Sequence, residues 1–185
     1  MSIVKMFKKE NKIFRIYNDI SPEKPEMYGH IFHWHPRYDL GKRIKPEDTK
    51  ETLCIQEWEQ FLNLFLYDHG DIKLSIRASK DRFDSGHVGY IGVTREEFRQ
   101  HFGESTCENS KKSCKTLEES LLTYTAYLNG EVYEWDVQEV TTCKECGHIM
   151  RYETIDGCRG YYGVDSWEQM KKDAGVDETW EEVNA

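Results

Sequence analysis

The 185-residue chain contains no apolar run approaching the roughly eighteen residues that a membrane-spanning helix requires. Its lysine-rich start, Met1–Asn11, has no apolar segment behind it, so neither secretion nor membrane insertion is expected. No basic stripe suited to neutralising phosphates stands out, which disfavours direct nucleic-acid binding. Phosphate loop, dinucleotide fingerprint, nucleophile elbow and His-Glu metalloprotease motif are all missing, as is any internal repeat. What these absences leave is a cytoplasmic protein with no standard catalytic motif.

The residues present are those of a folded domain. Hydrophobic residues make up 38% of the chain and charged ones 32%, and eleven Tyr, eight Phe and five Trp are a poor composition for a solvated chain. The net charge is −9 and unevenly spread: +4 over Met1–Lys50, −8 over Glu51–Val164 and −5 from Asp165 to the end. An acidic face of this kind keeps a protein soluble, or meets a basic partner.

In chain order, Lys12–Tyr17 alternates charge with bulk as a strand does, and Ser21–Glu26, with two prolines, is a loop. A second short strand, His30–His35, stops at Pro36. The spacing over Thr49–Leu62 is helical. A strand ending Leu66-Tyr67-Asp68-His69 turns at Gly70-Asp71 and returns as Ile72–Ile76, whose period of two marks a half-buried antiparallel strand. His87–Val93 makes a third strand, with glycines at 86, 89 and 92 that point to close approach of a neighbouring backbone, a ring or a ligand. Capping boxes at Thr94-x-x-Glu97 and Thr116-x-x-Glu119 start two helices, closed by Gly103 and by Asn129-Gly130. Glu131–Thr142 and Ile149–Ile155 pair as a hairpin across Cys143–His148, and Ser166-x-x-Gln169 starts a last helix. These elements define an α+β fold: a single domain over residues 1–185, with a mainly antiparallel sheet, three to four flanking helices and a Cys-tipped β-hairpin. Residues 1–11 and 176–185 are expected to be flexible.

Six cysteines in a cytosolic chain speak for metal before disulfide. Cys143-x-x-Cys146-Gly147 on a turn can aim two thiolates at one zinc ion. Cys107 and Cys114, flanking a loop between two helices, would complete a structural Zn site, with His148 and Cys158 in reserve; the alternatives are unmetallated thiols or a redox pair. His30-x-x-His33-x-His35 places His33 and His35 on one face of a strand and His30 on the other, which suits ordinary strand histidines better than a metal cluster. Asp68-His69 and Asp84-Ser85-Gly86-His87 offer acid, base and nucleophile, but each residue also serves as a turn former.

Five stretches in this order resemble a family of small proteins of bacteriophages and mobile elements. They are Trp34–Gly41, Tyr67–Ile72, Phe83–Ile91, Leu128–Tyr133 and Asp156–Gly163. The resemblance spans about residues 29–163 and implies a phage accessory protein that blunts host defence, without implying a mechanism. The two cysteine pairs look like additions to that pattern, and Arg159 follows Cys158 where the family has Trp. On this reading the protein is a non-catalytic binder that inhibits or sequesters a host defence component, either a protein or a small nucleotide-like ligand. His35, Arg37, Tyr38, Asp68, His69, Asp84, Ser85 and Tyr162 are expected to gather as the binding site. Arg37 would hold an anion and Tyr162 would stack on a ring. The alternatives are a small hydrolase using Asp84, Ser85 and His87 or His69, and an acidic protein–protein adaptor.

Overall fold

Ten strands build two five-stranded sheets in the computed structural model, which describes residues 2–48, 57–78 and 85–183. The chain forms two units, one of residues 1–24 and 126–185 and the other of residues 25–125. Strands and helices of both are present, so the α+β class holds, but the strands divide over two sheets where one is expected from the sequence. Among the described residues no helix is long and apolar enough to cross a membrane.

The first unit contains β1 (Ile3–Lys9), β2 (Lys12–Asn18), β8 (Val132–Thr142), β9 (Ile149–Tyr162) and β10 (Glu181–Val183). Their order is β10-β1-β2-β8-β9, antiparallel throughout. Phe7, Phe14, Ile16, Tyr133, Trp135 and Val137 share its core face. A short helix, α3 (Trp167–Asp173), closes that face by packing Trp167 and Met170 against them. On the opposite face Arg15 lies across from Asp136 and donates two hydrogen bonds to it, at 2.9 and 2.6 Å, while the Tyr17 hydroxyl donates at 3.2 Å.

Both ends of the chain carry a strand of this sheet. Ile3–Lys9 is a strand because Val4 and Phe7 pack on this core, and Glu181–Val183 is held against it in register. Ser166 makes no capping bond to the helix it precedes; its amide donates to the Gly163 carbonyl, closing a 3-10 turn, and its hydroxyl donates to the same oxygen. β9 runs on through the glycine-rich passage to Tyr162 as the sheet's edge strand, absorbing its extra residues as bulges opposite β8.

The second unit contains β3 (His30–His33), β4 (Lys42–Arg43), β5 (Trp58–His69), β6 (Asp71–Ser75) and β7 (Ser85–Thr94), with helices α1 (Arg95–Phe102) and α2 (Cys107–Leu128). The sheet order is β4-β3-β7-β5-β6, antiparallel except for β3 with β4. One face buries Ile31, Leu64, Leu66, Ile72, Leu74, Ile91 and Val93. Helix α2 lies along it, with Leu117, Leu121 and Tyr124 buried and Thr125 Oγ1 accepting the Leu74 amide at 3.2 Å.

Thr94 caps α1 as its sequence predicts: its hydroxyl accepts the Glu97 amide and the Glu97 carboxylate accepts the Thr94 amide. Thr116 does not start a helix. It lies inside α2, which begins nine residues earlier at Cys107, and its hydroxyl donates to the Lys112 carbonyl one turn back. The helix expected over Thr49–Leu62 is replaced over Trp58–Leu62 by β5; its earlier part lies outside the described residues. Trp58, Phe61 and Leu62 have helical spacing only because this stretch of strand carries bulk on both faces.

Candidate functional site

The face of the second sheet opposite α2 is paved with rings. Register pairs set Phe61 beside Gly92 and Phe32 beside Tyr90, and Trp58, paired with Thr94, lays its ring against Gly92. An extra residue on β7, Val88, facing the Leu64–Phe65 step of β5 then brings His87 onto the same face, opposite Phe65. The result is a contiguous ladder. Phe32 meets Trp58 at 5.5 Å between centroids, Trp58 meets Phe61 at 5.3 Å, and Phe61 stacks on Tyr90 at 5.0 Å. Trp34 lies edge-on to both Tyr90 and His87, at 5.6 and 5.0 Å, and His87 meets Phe65 at 5.5 Å. Gly92 makes this possible, since a Cβ there would stand 2.6 Å from the Trp58 ring. Trp34, Trp58, Phe61, Phe65 and Tyr90 remain half-exposed.

At its Phe65 end the ladder runs into a cleft of about 480 Å³. Phe65 and Tyr67 supply rings, Lys73 and Arg77 positive charge, and Ser75 and Ser85 hydroxyls. The register explains the convergence: Phe65 pairs with Ser75 and His87, and Tyr67 with Lys73 and Ser85, so all point to one side. Arg77 is tied to Glu118 at 2.7 Å. A third basic group, Lys42, stands 6.0 Å from the Phe32 ring centroid farther along the ladder.

The residues expected to form one site are distributed as follows. His35, Arg37, Tyr38 and Asp68 do meet. Asp68 accepts hydrogen bonds from the Tyr38 hydroxyl at 2.9 Å and Arg37 Nη1 at 3.1 Å, and His35 stacks on the Tyr38 ring at 5.0 Å. Arg37, expected to hold an external anion, is thus already paired with the chain's own carboxylate. Ser85 lines the cleft and His69 lies next to Tyr67, 6.3 Å between rings. Tyr162 belongs to the first unit, where its hydroxyl donates to the Glu23 carbonyl at 2.7 Å, and Asp84 lies outside the described residues. Sequence reasoning missed Phe61, Phe65, Tyr90 and the cations Lys73 and Arg77. The odd-numbered positions of β5, Phe61, Phe65, Tyr67 and His69, carry the signal that could have found them.

The histidines of His30–His35 are not a cluster. His33 is 1% exposed and its Nε2 accepts the Leu40 amide at 3.3 Å, while His30 pairs with Glu97 at 2.7 Å. Burial lowers the pKa of both His33 and His35, so each is held neutral, and His35 Nδ1 accepts the Tyr38 amide at 3.3 Å. Cys107 and Cys114 do not flank a loop: both lie in the first turns of α2. Seven residues along a helix separate them by about 10.5 Å of rise, too far for both sulfurs to close on one zinc ion with bonds of about 2.3 Å. Cys143 and Cys146 sit in the turn between β8 and β9, where amides of Cys146 and Glu145 donate to the Cys143 thiol and lower its pKa. Among the described residues no group of three or more metal-binding side chains comes together.

Comparison with protein-family models, curated proteins and solved structures finds no match to this chain.

Proposed function

We propose that this protein is a non-catalytic binding protein that takes a planar, anionic, nucleotide-like ligand on the ring-paved face of its second sheet. In the phage-type setting that its sequence resembles, it would act by sequestering that ligand from a host defence component. The observation that carries the reading is the ladder of rings running into a cleft rimmed by Lys73, Arg77, Ser75 and Ser85. Each base stacked on such a ring contributes about 1–3 kcal/mol, and Lys73 beside it supplies charge for a phosphate, while Arg77 is paired with Glu118. The volume lies within the roughly 300–1,000 Å³ of small-ligand sites.

The test is titration of the protein with a panel of nucleoside mono- and diphosphates, followed by the fluorescence of Trp34 and Trp58. A parallel experiment incubates the protein with a host-cell extract and identifies retained small molecules by mass spectrometry. Tyr67→Ala and Lys73→Ala should each weaken binding at least about tenfold, the loss expected when one contact of about 1.4 kcal/mol is removed. If neither panel nor extract yields a ligand, or both variants bind as tightly as the parent, the reading fails. Turnover of the probe, abolished by Ser85→Ala, would replace it with the hydrolase reading.

A further inference from the structure

We propose that Cys143 and Cys146 form one half of a tetrahedral four-thiolate site for a soft divalent cation such as zinc, and that the same pair in a second copy of this chain forms the other half. The turn that carries them is already closed by its backbone. The Cys143 amide donates to the His148 carbonyl at 2.8 Å, the Gly147 amide donates to the Cys143 carbonyl at 2.9 Å, and Gly147 takes a φ of 71° that favours glycine. Two cysteines three residues apart on such a turn can aim both thiolates at one ion.

Two thiolates do not complete a zinc site, which takes four ligands. No third donor joins them among the described residues, and the helical spacing of Cys107 and Cys114 prevents those two from serving together. The surface around the turn supplies an independent indication of what does. Ile149 and Met150 follow it directly and are 50% and 70% exposed, and Tyr152 beyond them is 52% exposed. Apolar side chains concentrated beside a half-filled ligand set mark a surface that another molecule covers. A second copy brings both missing thiolates and a matching apolar pair in one symmetric contact, with each turn facing its equivalent. Four identical sulfurs about a two-fold axis also satisfy tetrahedral geometry without distortion.

The full-length protein, purified under reducing conditions with zinc present, tests this directly. Metal analysis should find about one ion per two chains, and light scattering should find a dimer that becomes monomeric when the metal is chelated. Cobalt substitution should give the intense visible bands of tetrahedral four-thiolate coordination. Cys143→Ser with Cys146→Ser should lose metal and dimer together while keeping the parent's circular dichroism, because the turn is outside both cores. Cys107→Ser with Cys114→Ser should lose neither. One ion per monomer, metal loss in the Cys107/Cys114 variant, a metal-free folded protein, or a dimer indifferent to chelation would each overturn the proposal.

Discussion

Three glycines on β7 make a graded test of how the second sheet is packed. Gly89 lies between His33 of β3 and Leu64 of β5, and a Cβ there would overlap the Phe32 carbonyl oxygen and stand 2.8 Å from the His33 Cα. Both obstacles are backbone, so relief requires β3 to part from β7 along a ladder of four residue pairs. Overpacking costs about 1–3 kcal/mol, and each ladder bond lost adds about 0.5–1.5 kcal/mol. With two bonds lost, Gly89→Ala should therefore destabilise by about 2–6 kcal/mol, enough at the upper end to unfold a marginal domain. At Gly92 the obstacles are the Trp58 and Phe61 rings, at 2.6 and 2.9 Å. Half-exposed rings can tilt aside, so Gly92→Ala should cost about 1–2 kcal/mol, at the lower end of overpacking. Nothing lies within 4 Å of a Cβ at Gly86, and Gly86→Ala should be neutral within about 0.5 kcal/mol or slightly stabilising through the unfolded chain. Urea unfolding of the three variants, followed by tryptophan fluorescence and far-ultraviolet dichroism, measures the series. Equal losses at Gly89 and Gly92, or a larger loss at Gly86 than at either, would refute the assigned packing.

Other predictions rest on separate contacts. Thr94→Ala removes the hydroxyl that accepts the Glu97 amide, leaving the backbone amide of residue 94 to donate to the Glu97 carboxylate, and should cost about 1 kcal/mol in urea unfolding, with no measurable change counting against the cap. Asp136→Ala strands Arg15 and Tyr17, in a site where the ion pair is only about one-fifth exposed; a loss of about 2–3 kcal/mol is expected, and one below about 0.5 would show that water replaces the carboxylate freely. For pH, the depressed pKa values of His33 and His35 mean that the unfolded chain binds more protons than the folded one below the ordinary histidine value of 6.5. Stability should hold level above that pH and decline as pH falls below it, by at most about 1.4 kcal/mol per pH unit for each histidine. Urea midpoints between about pH 8 and 5 measure this, and His33→Leu should flatten the slope; a profile already flat in the parent would contradict buried neutral histidines.

Much of the fold is legible in the sequence because it is local. The period of two over Ile72–Ser75 and Tyr133–Val137, the box at Thr94 and the stop at Gly130 each lie within a few residues, and each appears where the sequence puts it. What fails is whatever depends on partners distant in the chain. Ile3–Lys9 looks like a charged, flexible end until Phe7 is placed against Phe14, 5.9 Å away between centroids. Thr116 has the right neighbour for a capping box, but Ser113 and Leu117, both fully buried, show a helix already under way around it.

The site was hidden by the same limitation and by one more. Pattern reading divides residues into apolar and polar and assigns the apolar ones to a core. On β5 that rule credits Leu64 and Leu66 correctly, since both are buried beneath α2. It cannot separate them from Phe61 and Phe65, which alternate with them and face the other way, half-exposed. A strand with bulk on both faces satisfies a helical template as readily as its own, so Trp58–Leu62 looks like the end of a helix and the ladder disappears. Only the register of β5 against β7, with its bulge at Leu64/Phe65, brings Phe65 to His87 and leaves Tyr67 facing Ser85. The Asp, Ser and His residues drew attention because they are chemically distinctive, yet Asp68 is satisfied internally by Arg37 and Tyr38. Rings that a core does not need, lined up beside Lys73, are the stronger functional signal in this chain, and they become visible only when the two faces of β5 are counted separately.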